Sequence, residues 1–319
     1  MNRSLFLSTP MRHFLMVAQH GSVSLAAQAL HVAASAVSRQ LSLLEARLGV
    51  TLFERRQRGM ALTPAGLQLA TQLRAAAEQV ERLIDQVQDE APQRQALVRM
   101  ACTEGFAYGL MPRVMQRLRQ QWPQLQLQLV VAPPREVSTM VLRGQADVAL
   151  KYSVAPERGL AAHLSLLSPV QVAMRPGHPL AKRRQLRVAD VVRYPMVMPS
   201  QGNTGRDLFD LSCSTQGLHY QIKVESNFSS ALLSLVMGED LLLAGALTVS
   251  HLSGPEAMLL RPFAEGELQQ RRLQVLTAEG ATPSPEVQAL LDTVQAEILP
   301  PAARPTRRKR PTSPAGARA

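Results

Sequence analysis

The sequence predicts an α/β protein with a helix-rich N-terminal module, one long helix and a two-lobed α/β body. Three observations predict it. Apolar residues recur at helical spacing in three short runs before residue 50. The run from Leu67 to Glu90 holds neither Pro nor Gly. Beyond residue 96, strand-like and helix-like segments alternate in two βαβαβ runs. At 319 residues the chain has the length of two domains, and 46% hydrophobic residues suffice for a sizeable core.

In chain order, Thr9 to Gln19 reads as an amphipathic helix with Phe14, Leu15, Val17 and Ala18 on its apolar face and Gly21 as its stop. Ser24 to Leu30 reads as a short second helix, with Ser24 as N-cap and Gln28 on the exposed side. After a turn at His31, Val32 and Ala33, a third helix is expected over Ala34 to Leu48. Its Val37, Leu41, Leu44 and Leu48 fall at spacings of 4, 3 and 4, and Gly49 ends it. Two short helices joined by a three-residue turn make a helix-turn-helix pattern. The exposed side of the third helix carries Ser35, Ser38, Arg39 and Ser42, small or basic residues that can enter a major groove. Glu45 and Arg47 read as ordinary surface charges. Residues 50–62 fit a hairpin with Gly59 in its turn and Arg55, Arg56 and Arg58 about its tip. A basic hairpin after such a helix is a wing placed to touch DNA backbone or minor groove, against the simpler view of a solvated loop.

Charge agrees with a polyanionic partner. The chain carries 35 Lys and Arg against 24 Asp and Glu, a net +11. The surplus sits at the ends: residues 1–62 hold 7 basic and 2 acidic side chains, and residues 300–319 hold 6 and none. The Pro-, Arg- and Ala-rich tail is expected to be a disordered arm. Its Arg307, Arg308, Lys309 and Arg310 suit phosphate contact or mere solubility.

The segment AQHGSVSLAAQALHVAASAVSRQLSLLEARLGVTLFERRQRGMALTPAG resembles the DNA-binding domain of LysR-type transcriptional regulators, unbroken over about fifty residues. The family usually has a Ser and a Gln where this chain has Ala33 and Ala34. Losing the Ser weakens the helix cap by about 1 kcal/mol. Losing the Gln shifts base readout toward Ser35, Ser38, Arg39 and the wing.

Thr63 and Pro64 open the next helix as N-cap and first helical residue. Ala70, Leu73, Ala77, Val80, Ile84 and Val87 follow at spacings of 3, 4, 3, 4 and 3, a coiled-coil seam on a helix of about 39 Å. Such a seam needs a partner helix, and the resemblance implies a homodimer through it and a homotetramer of dimers. Packing on the chain's own body is the alternative. Residues 91–93 make a hinge, which divides the chain into 1–62, 63–90, 91–299 and 300–319.

In the body, strands are expected at 97–102, 125–131 and 147–151 with helices at 109–122 and 137–143, followed by strands at 195–198, 221–224 and 241–243 with helices at 206–216 and 229–237. Parallel sheets follow from that order. Residues at strand ends and helix starts would line a cleft between the lobes: Thr103, Glu104, Pro133, Lys151, Tyr152, Gly202, Asn203, Thr204 and Phe228. The segments LRGQADVALKY, RPGHPLA and SLVMGEDLLLA resemble the family's effector-binding domain, of the periplasmic-binding-protein type, whose cleft holds a small-molecule effector. The hydroxyls of Thr103 and Thr204 and the charge of Lys151 suit a carboxylate, whereas Glu104 would repel one. Phe228 suits either stacking on a ligand or core packing.

Two Cys, Cys102 and Cys213, far apart in sequence, read as buried inert thiols. No nucleophile elbow, zincin motif, P-loop or dinucleotide fingerprint occurs, so neither enzyme chemistry nor a cofactor is implied. The absence of a continuous apolar N-terminal run and of about 18 consecutive apolar residues points to a cytoplasmic protein without a membrane span. The expected function is a sequence-specific, effector-modulated regulator of transcription. The alternative is an architectural, weakly specific DNA binder with a vestigial ligand domain.

Overall fold

The structure, a computed structural model, describes residues 7–56, 59–87, 97–245, 250, 252 and 257–299. The tail, its basic cluster, the 91–93 hinge and Arg58 lie outside the described residues.

The N-terminal module packs α1 (Thr9–His20), α2 (Val23–Leu30) and α3 (Ala34–Leu48) around Phe14, Val17, Ala26, Val37, Leu41, Leu44 and Leu52. Gly21 ends α1 in the left-handed region at φ +64° and donates its N–H to the Val17 carbonyl. The cap of α2 is Ser22 rather than Ser24. Ser22 is extended, and its Oγ accepts from the Leu25 N–H at 3.4 Å, which leaves Ser24 exposed in the first turn. Leu48 is 46% exposed and outside the core, because the buried stripe of α3 ends at Leu44.

The expected hairpin is β1 (Phe53–Arg56) and β2 (Gly59–Leu62), antiparallel with Arg56 opposite Gly59. Gly59 has φ +115°, and a Cβ there would lie 2.4 Å from the Gly21 carbonyl oxygen. That oxygen accepts from the Met60 N–H at 2.8 Å, so the wing is seated on the end of α1.

Next comes α4 (Pro64–Val87), 24 residues and about 36 Å long, opened by Thr63, whose Oγ1 accepts from the Gly66 N–H at 3.0 Å. Its seam is not free along its whole length. Ala70 is fully buried against the N-terminal core, and Leu73 packs beside it. On another side, Gln72 Nε2 donates to the Gly280 carbonyl at 2.8 Å, and Arg74 packs against Gly144. The start of the seam, at Ala70 and Leu73, therefore has partners within its own chain.

The body is two α/β lobes. Lobe I begins with β3 (Leu97–Cys102), α5 (Glu104–Gly109), α6 (Met111–Gln121), β4 (Gln126–Val131), α7 (Pro134–Leu142), β5 (Val148–Ser153) and β6 (Leu160–Leu167). The chain crosses at residues 168–170 into lobe II: β7 (Gln171–Met174), α8 (Val188–Val191), β8 (Met196–Pro199), α9 (Thr204–Thr215), β9 (Ile222–Ser226), α10 (Ser229–Leu235), β10 (Leu241–Ala244), β11 (Leu259–Pro262) and α11 (Gly266–Gln269). It returns at residues 270–271 to complete lobe I with β12 (Arg272–Ala278) and α12 (Pro285–Ile298).

The strand orders are β4-β3-β5-β12-β6 and β11-β7-β10-β8-β9. The sheets are mixed, not all parallel as expected. β3, β4 and β5 are parallel, as are β8, β9 and β10, but β12 and β7 run antiparallel to their neighbours. The two crossings force this. Strands of the βαβ runs end at the cleft, whereas β7 and β12 start there, so they must run the other way. Each sheet has a buried cluster on both faces, in lobe I around Met100, Phe106 and Leu150 on one side and Ala101, Val137 and Leu276 on the other.

Candidate nucleic-acid interface and ligand cleft

On the N-terminal module, Ser24, Gln28, Ser35, Ser38, Arg39 and Ser42 are all exposed, on the outer sides of α2 and α3. Val37, Leu41 and Leu44 turn inward, so helical periodicity places these polar residues outward. Ser24 and Gln28 share a shallow hollow with His31, Val32, Ala33 and Ala34. His31 and Val32 were not singled out by the sequence. His31 ends α2 at φ 56°, the one non-glycine in the left-handed region among the described residues, and is exposed. Ala33 stands at the N-cap of α3 with extended backbone and no side-chain acceptor.

Arg55 is exposed on β1, and the backbone of Arg56 pairs with Gly59 at the turn. Glu45 is not an idle surface charge. Its Oε1 accepts from the Leu52 N–H at 2.7 Å and the Phe53 N–H at 3.3 Å, tying the wing's first strand to α3. A carboxylate accepting two backbone N–H groups makes charge-assisted bonds, stronger than neutral ones.

Between the lobes lies a cavity of about 200 Å³. Thr103, Glu104, Pro133, Tyr152, Gly202, Asn203 and Phe228 line it, together with Leu232, Gly245 and Arg271. Phe228 is 57% exposed, so it is not core. Asn203 caps α9, its Oδ1 accepting from the Gly205 N–H at 2.9 Å. Thr204 is not among the lining residues. Its hydroxyl instead donates across the cleft to the Tyr152 carbonyl at 3.2 Å. A second bridge between the lobes runs from the Ser230 N–H to Glu104 Oε1 at 3.0 Å.

Lys151 does not reach the cleft. Successive side chains on a strand point to opposite faces, so Tyr152 and Lys151 cannot both face it. Lys151 is buried on the α7 side, where Nζ donates to Ser138 Oγ at 2.7 Å and Glu157 Oε1 at 2.5 Å. The cleft's cation is Arg271, which sequence reasoning missed because it lies in no motif and follows the second crossing. It is 3% exposed, and burial pushes its guanidinium below the ordinary arginine range. Nε donates to the Ser168 carbonyl at 2.8 Å and Nη2 to the Pro169 carbonyl at 2.9 Å. The guanidinium carbon sits 4.1 Å from the centre of the Tyr152 ring, whose other neighbour is Phe106 at 4.6 Å between centroids. Thr103 Oγ1 and Tyr152 Oη are buried with no hydrogen-bond partner among the described residues. No helix among the described residues is long and apolar enough to cross a membrane.

Residues 9–67 match the family described as bacterial regulatory helix-turn-helix protein, lysR family, and residues 91–298 match the LysR substrate binding domain. The chain is 28% identical over 269 residues to a probable nitrogen assimilation transcriptional activator of Synechococcus elongatus, covering 83% of this chain and 87% of that protein. It is 28% identical over 198 residues to the transcriptional regulator IlvY of Escherichia coli, covering 61% and 67%. Among solved structures, full-length OxyR from Pseudomonas aeruginosa superposes with a TM-score of 0.57 at 20% identity over 92% of this chain and 95% of that one. Full-length CbnR in complex with its target DNA superposes with a TM-score of 0.51 at 20% identity over 90% and 98%.

Proposed function

This chain belongs to the LysR family of transcriptional regulators, with a DNA-binding helix-turn-helix domain and an effector-binding domain, and from that premise we propose how its own residues divide the work. Ser24, Gln28, Ser35, Ser38, Arg39 and Ser42 face the major groove, and Arg55, Arg56 and Arg58 of the wing reach the backbone or minor groove. A homodimer formed through the α4 seam from Ala77 onward presents two such modules to two half-sites of an interrupted palindrome, and two dimers form a tetramer. A small carboxylate binds between the lobes and biases their closure.

The observation that carries the ligand half is the interlobe cavity of about 200 Å³ with two buried, unpartnered hydroxyls, Thr103 Oγ1 and Tyr152 Oη. Buried polar groups are almost always bonded, so a pair of orphans facing one cavity marks a place where a partner enters. The size is below the roughly 300 Å³ at which drug-sized sites begin, which suits a small metabolite. The DNA half is supported by a small, basic, acid-free outer face on α3 and by the length of the helix-turn-helix match.

The test is fluorescence anisotropy of the full chain on DNA from just upstream of its own gene, against a scrambled duplex, at physiological salt. A preference of about a thousandfold is expected, and Arg39→Ala lowers affinity for the native duplex with a shallower salt slope. Equal binding to both duplexes would instead support the architectural alternative. For the ligand half, a carboxylate library screened by thermal shift should yield a compound that also changes the DNase footprint. An unchanged footprint at saturation would separate ligand binding from regulation.

A further inference from the structure

Arg271 poses a charge problem. It is buried, and among the described residues no carboxylate lies within ion-pair distance of it. Its partners are two carbonyls and an aromatic face, and Nη1 has no hydrogen-bond partner among the described residues. Nη1 points at the first turn of α9, where a Cβ on Gly205 would lie 3.1 Å away. That turn is the positive end of a 12-residue helix, and its acidic residue, Asp207, accepts from the Gly202 N–H and forms no ion pair with Arg271 among the described residues. Buried ions are normally paired, because an isolated one carries a large desolvation cost.

The neighbourhood is built to admit a partner. Tyr152 is 9% exposed and its Oη is unpartnered. Over Gly245 the two groups converge: a Cβ there would lie 2.8 Å from Arg271 Nη2 and 2.9 Å from Tyr152 Oη. Only a glycine leaves that space open. Glu104, also on the cavity wall, opposes a doubly charged ligand. One cation plus a hydroxyl matches one carboxylate better than a phosphate dianion.

Arg271 also stands in the hinge. The return crossing at 270–271 runs beside the outgoing crossing at 168–170: the Ser168 N–H donates to the Arg271 carbonyl at 2.8 Å, and the Val170 N–H to the Leu268 carbonyl at 2.9 Å. The guanidinium clamps that outgoing segment through the Ser168 and Pro169 carbonyls.

Resting on the effector cleft assigned above, we propose that Arg271, with Tyr152 Oη, is the receptor for the effector's carboxylate and couples its arrival directly to the lobe hinge. The anion supplies the missing counter-charge to a guanidinium that stands on the return crossing and is hydrogen-bonded to the outgoing one. Binding therefore tightens the crossings themselves, not only the cavity walls.

The test titrates the full chain by calorimetry with sodium acetate, sodium phenylacetate, inorganic phosphate and neutral phenylacetamide at constant ionic strength. Hydrogen exchange at residues 168–170 is followed in parallel. Phenylacetate is expected to bind and to slow exchange there, and phenylacetamide to do neither. Arg271→Gln should weaken phenylacetate by about tenfold to a hundredfold and abolish the exchange response. Tyr152→Phe removes a hydroxyl that bonds no other described residue, so it leaves the fold intact and should still weaken binding several-fold. Phenylacetate binding unchanged in both variants, or matched by phenylacetamide, would overturn Arg271 as receptor while leaving the cleft a ligand site. Phosphate bound more tightly than phenylacetate would overturn the carboxylate class. No binding by any of the four would overturn the receptor and the effector cleft together.

Discussion

Glu45 on α3 holds the wing through the backbone of Leu52, its Oε1 accepting that N–H at 2.7 Å and the Phe53 N–H at 3.3 Å. The wing is thus tied to α3 by a carboxylate as well as to α1 by the Met60–Gly21 bond and to the core by Leu52 and Phe53. Glu45→Ala is expected to cost about 1–3 kcal/mol in urea unfolding, because two N–H groups lose a charged acceptor. If the wing takes part in DNA binding as proposed, loosening its first strand from α3 should also weaken that binding. Glu45→Gln keeps an acceptor oxygen and should fall between. Stability and affinity both unchanged in Glu45→Ala would mean that the hairpin is held by Gly21 and the core alone.

The start of α3 lacks a side-chain cap. Ala33 has φ −68° and ψ 143°, the extended geometry of an N-cap residue, but no oxygen to offer. Ala33→Ser is expected to raise stability by about 1 kcal/mol, read from the urea midpoint. It also places a hydroxyl beside Ser24 and Gln28 in the hollow between α2 and α3. An unchanged midpoint would mean that the first N–H groups of α3 are already satisfied by water.

The N-terminal module was the most legible part of the sequence, and the hinge the least. Helix periodicity, Gly21, Gly49 and the Thr63-Pro64 start are local signals, and the bounds of α3 fell where they were expected. Local signals also mislead by small amounts: Ser22 and Ser24 are equally good caps on paper, and backbone conformation chose Ser22. In the body, β6, β7, β11, β12 and α12 were not foreseen. Their places depend on the chain crossing twice between lobes, a long-range fact with no short motif. The same holds for the cleft. Thr103, Glu104, Tyr152 and Asn203 were found because strand ends and helix starts are predictable. Lys151 was mistaken for the cation, since adjacent residues on β5 face opposite ways and the sequence did not fix which. Arg271 was invisible because only the return crossing brings it there.

His178 gives stability a dependence on pH. It is 4% exposed and caps a short turn, its Nδ1 accepting from the Leu180 N–H at 3.0 Å, while Nε2 meets the Glu239 carbonyl at 3.1 Å. Nε2 therefore carries the proton, and Nδ1 must stay bare. Burial lowers its pKa below 6.5, against an opposing pull from the Glu239 carbonyl. The folded form thus binds fewer protons than the unfolded one. Its contribution is complete above the unfolded value near 6.5 and is lost as pH falls through the folded value. Urea midpoints at pH 7.5, 6.5 and 5.5 should fall more steeply with acid for the native chain than for His178→Asn, which keeps an acceptor but does not titrate. Equal slopes would assign the acid loss elsewhere, with buried His13 the next group to replace.

The likeness to OxyR is one of fold, and the thiols of this chain are placed against redox sensing. Cys102 is fully buried at the end of β3, and burial, with Glu104 nearby, raises its pKa to about 12. Cys213 is 3% exposed on α9 in the other lobe, raised to about 11 by burial and by Asp210. At pH 7.4 fewer than about one in a thousand of either would be thiolate, the reactive form. Native protein should therefore react with Ellman's reagent far more slowly than the same protein in guanidinium, where two thiols titrate at once. Millimolar peroxide should leave the DNA affinity unchanged. Rapid loss of a thiol in the native state, or a peroxide-dependent change in DNA binding abolished by Cys102→Ser, would show that lobe I opens far enough to expose the end of β3 and would make the chain a redox sensor after all.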